Sequence, residues 1–252
     1  MSVERNRQEW EELASLDPLW AVLTYPKYRY GKWQLDAFFA TGRDEVAHVM
    51  KAASRHDLPQ RRNVALDFGC GVGRLTRALA EEFDHVYGVD ISQSMIEHAK
   101  VLNADIPNCT FVVNPFGDLA LFENESFGFV YSSLVLQHLP TRRQIFQYVS
   151  EFLRVTRAGG LVVFQLLSRI PLLERMQLRR RLYSGLRAVG MPSTFLYRRL
   201  GLAPIRAQYV DSAQMVAYIE AVGGHCEEVD SVRVGTGGRC SSTYFVKKAI
   251  GA

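Results

Sequence analysis

The stretch Val64-Ala-Leu-Asp-Phe-Gly-Cys-Gly-Val-Gly-Arg74 decides the fold of this chain. Its apolar start leads directly into closely spaced glycines, as a buried parallel strand followed by a tight turn would. Leu75, Ala78 and Leu79 then recur at helical spacing, so a helix begins immediately after the turn. Glycine lets the backbone turn sharply and approach a ligand closely, and the start of a helix adds free N–H donors. The stretch therefore predicts a nucleotide-binding loop at the carboxyl end of a parallel strand.

Two acids near the loop narrow the choice of ligand. Asp67 stands two residues before the first glycine, where a carboxylate would repel a pyrophosphate but would suit an ammonium group. Asp90 ends the second predicted strand roughly twenty residues later, where a carboxylate can accept both ribose hydroxyls. The dinucleotide fingerprint needs a glycine where Arg74 stands, and here the third glycine is Gly73. A ligand with an ammonium, a sulfonium and a ribose fits better than NAD, although an NAD-dependent dehydrogenase remains the main competitor on fold alone.

This pattern resembles the class I S-adenosylmethionine-dependent methyltransferases. Residues 64–74 resemble their first motif and residues 86–90 their ribose motif. The resemblance continues through residues 127–140 and 154–164, and it extends more loosely to the final helix and hairpin. It implies S-adenosylmethionine as the cofactor, S-adenosylhomocysteine as the product, and an enzyme that transfers a methyl group.

The resemblance also implies a set of cofactor-binding residues. The acid and the first two glycines of the loop would hold the methionine moiety, and the acid after the second strand would bind the ribose, with Ile91 against the adenine. Such enzymes usually place an acid near the adenine amino group after the third strand, where Asp118 is the first candidate and Asn114 the alternative. The whole predicted set is Asp67, Gly69, Cys70, Gly71, Gly73, Arg74, Asp90, Ile91, Met95, Asn114, Gly117, Asp118, Ser132 and Ser133.

Strands and helices alternate along most of the chain, which predicts an α/β fold: a Rossmann-like, doubly wound, mostly parallel seven-stranded sheet. The predicted strands are residues 64–68, 86–89, 110–113, 127–132, 161–167, 225–234 and 240–247. Glycines between the last two strands predict a C-terminal antiparallel hairpin. We expect residues 1–57 to form an N-terminal helical aromatic lid on a methyltransferase domain of residues 58–252, with a helical insert after strand 5 at about 169–208.

His138 is the predicted catalytic residue. It follows the fourth strand, beside the methyl-donor end of the related fold, and a histidine can act as a general base near neutral pH. The alternative is a purely structural histidine, just as the aromatic residues of the lid can simply pack against the domain. The predicted acceptor-binding residues are Tyr25, Tyr28, Tyr30, Trp33, Gln137, Gln165, Tyr197 and Arg206.

Composition excludes several classes of protein. The chain has 252 residues, 48% hydrophobic and 22% charged, which is typical of a globular protein. Its four cysteines form no C-x-x-C pair, so we expect reduced thiols and no metal site. No apolar leader or membrane-spanning run is evident, which predicts a cytoplasmic protein. The net charge of +4 gathers in the arginine-rich insert, which suits nucleic acid, an anionic membrane surface or an acidic substrate, or is a solvated helix face.

The leading functional hypothesis is O-methylation of a small organic acceptor in secondary metabolism: a sugar, phenol, polyketide or lipid-like hydroxyl. Residues 131–134 read Tyr-Ser-Ser-Leu and lack the N-P-P-[YF] pattern that suggests methylation of a planar amino group. N-methylation of an amine or peptide is the second enzyme hypothesis. A nucleic-acid-binding protein and a non-catalytic cofactor-binding protein are the alternatives from other classes, with nucleic acid disfavoured. The expected assembly is a monomer or homodimer.

Overall fold

The computed structural model describes residues 3–235 and 237–249 and is built around one seven-stranded sheet. The strands are β1 (Val64–Phe68), β2 (His85–Asp90), β3 (Cys109–Val113), β4 (Phe127–Ser132), β5 (Thr156–Arg169), β6 (Gly224–Val234) and β7 (Arg239–Lys248). Their order is β3-β2-β1-β4-β5-β7-β6. Strands β1 to β5 are parallel to one another, and β7 is antiparallel to both of its neighbours, β5 and β6. The predicted α/β fold is confirmed. The order reverses between β1 and β4, where sheets of this kind bind ligands.

Ten α-helices accompany these strands in the described part of the chain. They are α1 (Val3–Leu16), α2 (Pro18–Val22), α3 (Leu35–Ser54), α4 (Arg74–Leu79), α5 (Gln93–Leu102), α6 (Arg142–Val155), α7 (Leu172–Arg175), α8 (Leu178–Ala188), α9 (Ser193–Leu200) and α10 (Ser212–Ala221). Ser92, Thr141 and Asp211 cap α5, α6 and α10 by accepting a backbone N–H at 3.1, 3.2 and 3.0 Å. Each cap is worth about 1 kcal/mol and fixes where its helix begins.

Both faces of the sheet are covered. Neighbouring residues of a strand point to opposite faces, so Ala65 packs with Leu79 of α4 while Leu66 packs with Phe152 of α6. All four side chains are almost completely buried. This two-sided burial explains why the strands read as continuous apolar runs rather than as alternating ones.

The N-terminal helices lie against the carboxyl edge of the sheet. Leu13 of α1 and Trp20 of α2 share a buried cluster with Val72 of the glycine loop and Met95 of α5. The Glu11 carboxylate of α1 also accepts the backbone N–H groups of the first two residues of α5, at 2.6 and 3.2 Å. The division into a lid (1–57) and a domain (58–252) stays a prediction, but the first helices do cover the loop.

Helices α7 to α9 occupy the segment predicted as an insert, between β5 and α10. Helix α8 is held to α1 by ion pairs, Arg180 to Glu9 at 2.7 Å and Arg187 to Glu12 at 2.5 Å. Within residues 3–235 and 237–249, no helix combines the length and apolar character needed to cross a membrane.

Candidate functional site

A pocket opens at the carboxyl ends of β1, β2 and β4, beneath α1 and α2. It contains about 760 Å³ of empty space, including the open solvent at its mouth. Its lining residues are Asn6, Trp10, Ala21, Val22, Phe68, Gly69, Gly71, Val89, Asp90, Ile91, Met95, Asn114, Ser133, Leu134, Val135, His138, Leu139 and Tyr148. The pocket therefore combines one carboxylate, one imidazole and several apolar walls.

The glycine loop forms the floor of the pocket. The N–H groups of Gly69 and Cys70 both donate to the Val89 carbonyl, at 2.8 and 2.9 Å, which ties the loop to β2. Gly69 and Gly71 have φ of +74° and +53°, which favours glycine. A Cβ on Gly71 would also lie 2.5 Å from the Val22 side chain of α2. The glycines thus let α2 close directly onto the loop.

Asp90 is the polar centre of the cofactor end of the pocket. Its Oδ2 accepts the N–H of Gly71 at 2.9 Å, and its Oδ1 accepts the N–H of Ser92 at 2.9 Å. Desolvation raises the pKa of the carboxyl to about 6, against these backbone hydrogen bonds, which lower it. Each carboxylate oxygen retains acceptor capacity. This arrangement, flanked by apolar Ile91 and Met95, fits the ribose and adenine of S-adenosylmethionine.

Asp67 lies behind the loop and does not line the pocket. Its Oδ2 accepts a hydrogen bond from the Thr76 hydroxyl at 2.6 Å, whereas its Oδ1 has no partner in the described structure. Burial raises the pKa of this carboxyl to about 7, because the charged form loses its hydration. Its contact with the methionine ammonium stays a prediction, and the free Oδ1 is the atom that would make it.

Half of the predicted cofactor residues line the pocket and half do not. Those that line it are Gly69, Gly71, Asp90, Ile91, Met95, Asn114 and Ser133. Those outside the lining are Asp67, Cys70, Gly73, Arg74, Gly117, Asp118 and Ser132. Several of these instead support the loop: Arg74 is buried and pairs with Glu45 of α3 at 2.8 Å, and the Ser132 hydroxyl donates to the Phe68 carbonyl at 3.1 Å.

The structure reverses the order of the two candidates after β3. Asn114 faces the pocket, while its amide donates to the Asp118 carbonyl at 2.6 Å and closes the turn between them. The Asp118 carboxylate turns away and accepts the N–H of Ala120 at 3.2 Å. Asn114 is therefore better placed than Asp118 to contact an adenine.

The predicted acceptor-binding aromatics do not line this pocket, and their role in binding the acceptor stays a prediction. Tyr28 stacks on Trp33 with ring centroids 3.8 Å apart, and Tyr25 and Tyr30 are about half exposed. The hydroxyl of buried Tyr197 donates to Asp17 at 2.7 Å. Trp33 meets Phe38 of α3, and Tyr197 of α9 meets Trp20 of α2, so these two rings pack neighbouring helices together.

The remaining predicted acceptor residues also lie outside the lining. Gln165 accepts the backbone N–H of Leu134 at 2.9 Å and so shapes the loop after β4. Gln137 is buried, and the side chain of Arg206 points toward Glu9 at 3.4 Å. Gln165 and Arg206 therefore do not line the pocket but hydrogen-bond residues that do, Leu134 and His138.

Two pocket residues that sequence reasoning missed come from α1. Asn6 and Trp10 are one helical turn apart on the same face, and the Trp10 ring meets His138 edge-on with centroids 5.6 Å apart. The other missed residues are Ala21, Val22, Phe68, Val89, Leu134, Val135, Leu139 and Tyr148. The i, i+4 spacing of Asn6 and Trp10 shows that they share a helix face, but it does not show which part of the fold that face covers.

His138 is held in one tautomer. Its Nδ1 lies 2.5 Å from the Arg206 carbonyl, which can only accept, so Nδ1 carries the proton and Nε2 of the neutral ring does not. Burial is the main cause that lowers the pKa of His138, to about 4; the hydrogen bond to the Arg206 carbonyl raises the pKa, and the charge of Arg206 adds to the lowering. Nε2 has no hydrogen-bond partner among residues 3–235 and 237–249. The neutral ring therefore offers a free acceptor at the pocket wall throughout the physiological pH range.

The sheet order, the glycine loop and the strand-end carboxylate define a Rossmann-like domain that binds an adenosyl ligand. Residues 66–164 match the family model described as "Methyltransferase domain". This segment is therefore a methyltransferase domain of the class I kind, whose cofactor is S-adenosylmethionine.

Known proteins similar to this chain act on different molecules, as their names state. It is 27% identical over 163 residues to a 2-methyl-6-phytyl-1,4-hydroquinone methyltransferase of Synechocystis, covering 64% of this chain and 50% of that one. It is 29% identical over 111 residues to phosphoethanolamine N-methyltransferase 3 of Arabidopsis thaliana, covering 42% and 22%. The chain thus spans half the length of the first relative and less of the second.

Among solved structures, the fold is similar to magnesium protoporphyrin IX methyltransferase of Synechocystis with bound S-adenosylhomocysteine. The TM-score is 0.61 at 17% identity, and the match covers 96% of this chain and 98% of that one. At this identity the likeness concerns the fold, including the segments outside the matched domain.

Proposed function

We propose that this protein methylates a hydroxyl group of a small organic acceptor, with His138 as the base. The observation that carries the proposal is the fixed tautomer of His138, whose Nδ1 donates to the Arg206 carbonyl at 2.5 Å and whose Nε2 is unprotonated. A hydroxyl nucleophile must lose its proton during transfer, and an unprotonated imidazole nitrogen in the pocket wall can accept it.

The low pKa of His138 selects among hydroxyl acceptors. An imidazole with a pKa of about 4 is always in its basic form at neutral pH, but it is a weak base. It is matched to an acidic hydroxyl, such as a phenol with a pKa of about 10, better than to a sugar alcohol. Within the wider hypothesis of sugar, phenol, polyketide or lipid-like acceptors, a phenolic or enolic hydroxyl therefore fits best.

The rest of the pocket aligns the reactants and excludes water. S-adenosylmethionine supplies a methyl group that is already activated for displacement. Asp90, Asn114 and the backbone of the loop would hold it, and α1 and α2 cover the pocket with Trp10 and Val22. Positioning in such a closed site can contribute a large part of the rate enhancement.

Two experiments test this proposal. Calorimetric titration with S-adenosylhomocysteine, with NADH as the comparison, tests the cofactor site, and binding of NADH alone would overturn it. Transfer of labelled methyl groups to matched phenols, aliphatic alcohols and amines tests the acceptor. We expect phenols to be methylated, and His138→Asn to lower their turnover while leaving S-adenosylhomocysteine affinity nearly unchanged. Methylation of the amines alone, insensitive to His138→Asn, would establish the N-methyltransferase alternative instead.

A further inference from the structure

Helix α8 leaves part of its apolar surface uncovered. Its inward side carries polar contacts: Arg180 and Arg187 form ion pairs with α1, and the buried Tyr183 hydroxyl donates to a glutamate of α1 at 2.6 Å. Leu186 packs on the same side, but Leu178 and Leu182 are 61% and 53% exposed. A helix that packed only by burying its apolar stripe would bury these two leucines as well.

The exposed apolar surface continues beyond α8 in both directions. Val189, which follows α8, lies on the same stripe as Leu178 and is 75% exposed. Leu172 and Leu173 of α7 are 76% and 81% exposed. The α7–α9 face is defined by the exposed residues Leu172, Leu173, Met176, Leu178, Leu182, Val189, Met191, Phe195 and Leu200. Single exposed apolar residues are ordinary, but a set on consecutive helices marks an interaction surface.

The same segment is strongly basic. Residues 169–208 contain nine arginines and one acidic residue, a charge of +8, whereas the whole chain carries only +4. The acidic residue, Glu174, is paired with Arg239. Arg179, Arg181 and two arginines of α9 are exposed beside the apolar stripe. The partner of this face therefore offers an apolar layer bordered by negative charge.

We propose that the α7–α9 face binds the surface of an anionic lipid bilayer, a property beyond the proposed methyl transfer. Leucines and valine would enter the acyl boundary while the flanking arginines meet lipid phosphates, as in amphipathic helices that lie in the membrane interface. A symmetric contact with a second copy would bring the exposed arginines of two such faces together, which charge repulsion disfavours. Nucleic acid would satisfy the arginines but offers little to the exposed leucines.

Vesicle flotation tests this proposal with a matched pair of variants. Val189 of the face and Val101 of α5, outside it, are both valines and both 75% exposed. We expect the protein to float with phosphatidylcholine vesicles that contain phosphatidylglycerol, and much less with phosphatidylcholine alone. Val189→Asp and Leu182→Asp should each lower the partition coefficient about tenfold, since one buried aliphatic side chain is worth at least that factor. Val101→Asp should leave it within about twofold.

Three results would overturn the proposal: no flotation with the anionic vesicles, equal flotation with neutral ones, or an equal loss in Val101→Asp. A dimer in sedimentation that Val189→Asp dissociates would assign the face to a second copy instead. Binding of S-adenosylhomocysteine checks that each variant is folded. It also separates failure of the membrane proposal from failure of the methyltransferase proposal, because these residues lie outside the pocket.

Discussion

The partly buried imidazole of His138 should make the protein less stable as the pH falls. Its pKa is about 4 in the folded protein and about 6.5 in an unfolded chain, so the unfolded chain binds more protons between these values. The free energy of unfolding should therefore fall by about 2 kcal/mol from pH 7 to pH 5, and by about 3 kcal/mol in total below pH 4. His138→Asn removes the titration, while its amide can still donate to the Arg206 carbonyl.

Urea unfolding of the wild-type protein and His138→Asn at pH 7 and pH 5 measures this effect. The pKa values of Asp67 and Asp90 are raised by burial and change stability in the opposite direction, but both proteins share them. They cancel in the difference between the two proteins, which isolates His138. We expect that difference to shift by about 2 kcal/mol in favour of the variant at pH 5. If the difference is the same at both pH values, the conclusion that folding lowers the pKa of His138 is refuted.

Three further changes test the cofactor end of the pocket and its cover. Asp90→Ala should weaken S-adenosylhomocysteine binding at least about tenfold in calorimetry, because it removes the acceptor of the ribose hydroxyls; unchanged affinity would sink that assignment. Glu12→Gln should release S-adenosylhomocysteine about two- to fivefold faster in stopped-flow measurements, because it weakens the tie to α8; Glu4→Gln, whose partners lie on α1 itself, is the control and should show no change. Gly71→Ala should lower the free energy of unfolding by about 1–3 kcal/mol in urea titrations, and adding Val22→Ala should restore part of it by removing the clash. No restoration would mean that backbone strain, rather than the clash, is the cause.

The parts of the site that the sequence predicted are those specified by neighbours in the chain. The caps Ser92 and Thr141 bond a residue within one turn, so their patterns are visible in the sequence. The loop is recognised from its own glycines and Asp90 from the end of its strand, although a hydrogen bond joins Gly71 and Asp90 across 19 residues. Whether Asn114 or Asp118 faces the adenine site depends on the orientation of the turn between them, which no local sequence pattern indicates.

The cover of the pocket was beyond such local signals. Trp10 reaches His138 because α1 is held down by α8, through Glu9 and Arg180, which are 171 residues apart in the chain. The richer aromatic segment around Trp33 was the natural candidate, but its rings face the other helices. Composition drew attention to the N-terminal segment, whereas contacts between distant residues determine which of its side chains face the pocket.

The hydrogen bonds from α5 to Glu11 make the first helix more than a cover. Glu11 supplies acceptors for the first turn of α5, the helix that carries Met95 in the pocket wall. Helices α1 and α5 are therefore coupled, and replacing one of them affects the other. A chimera could take its first helix from another methyltransferase in order to alter the choice of acceptor. That helix must carry an acid at the position of Glu11; otherwise two backbone N–H groups at the start of α5 lose their acceptors.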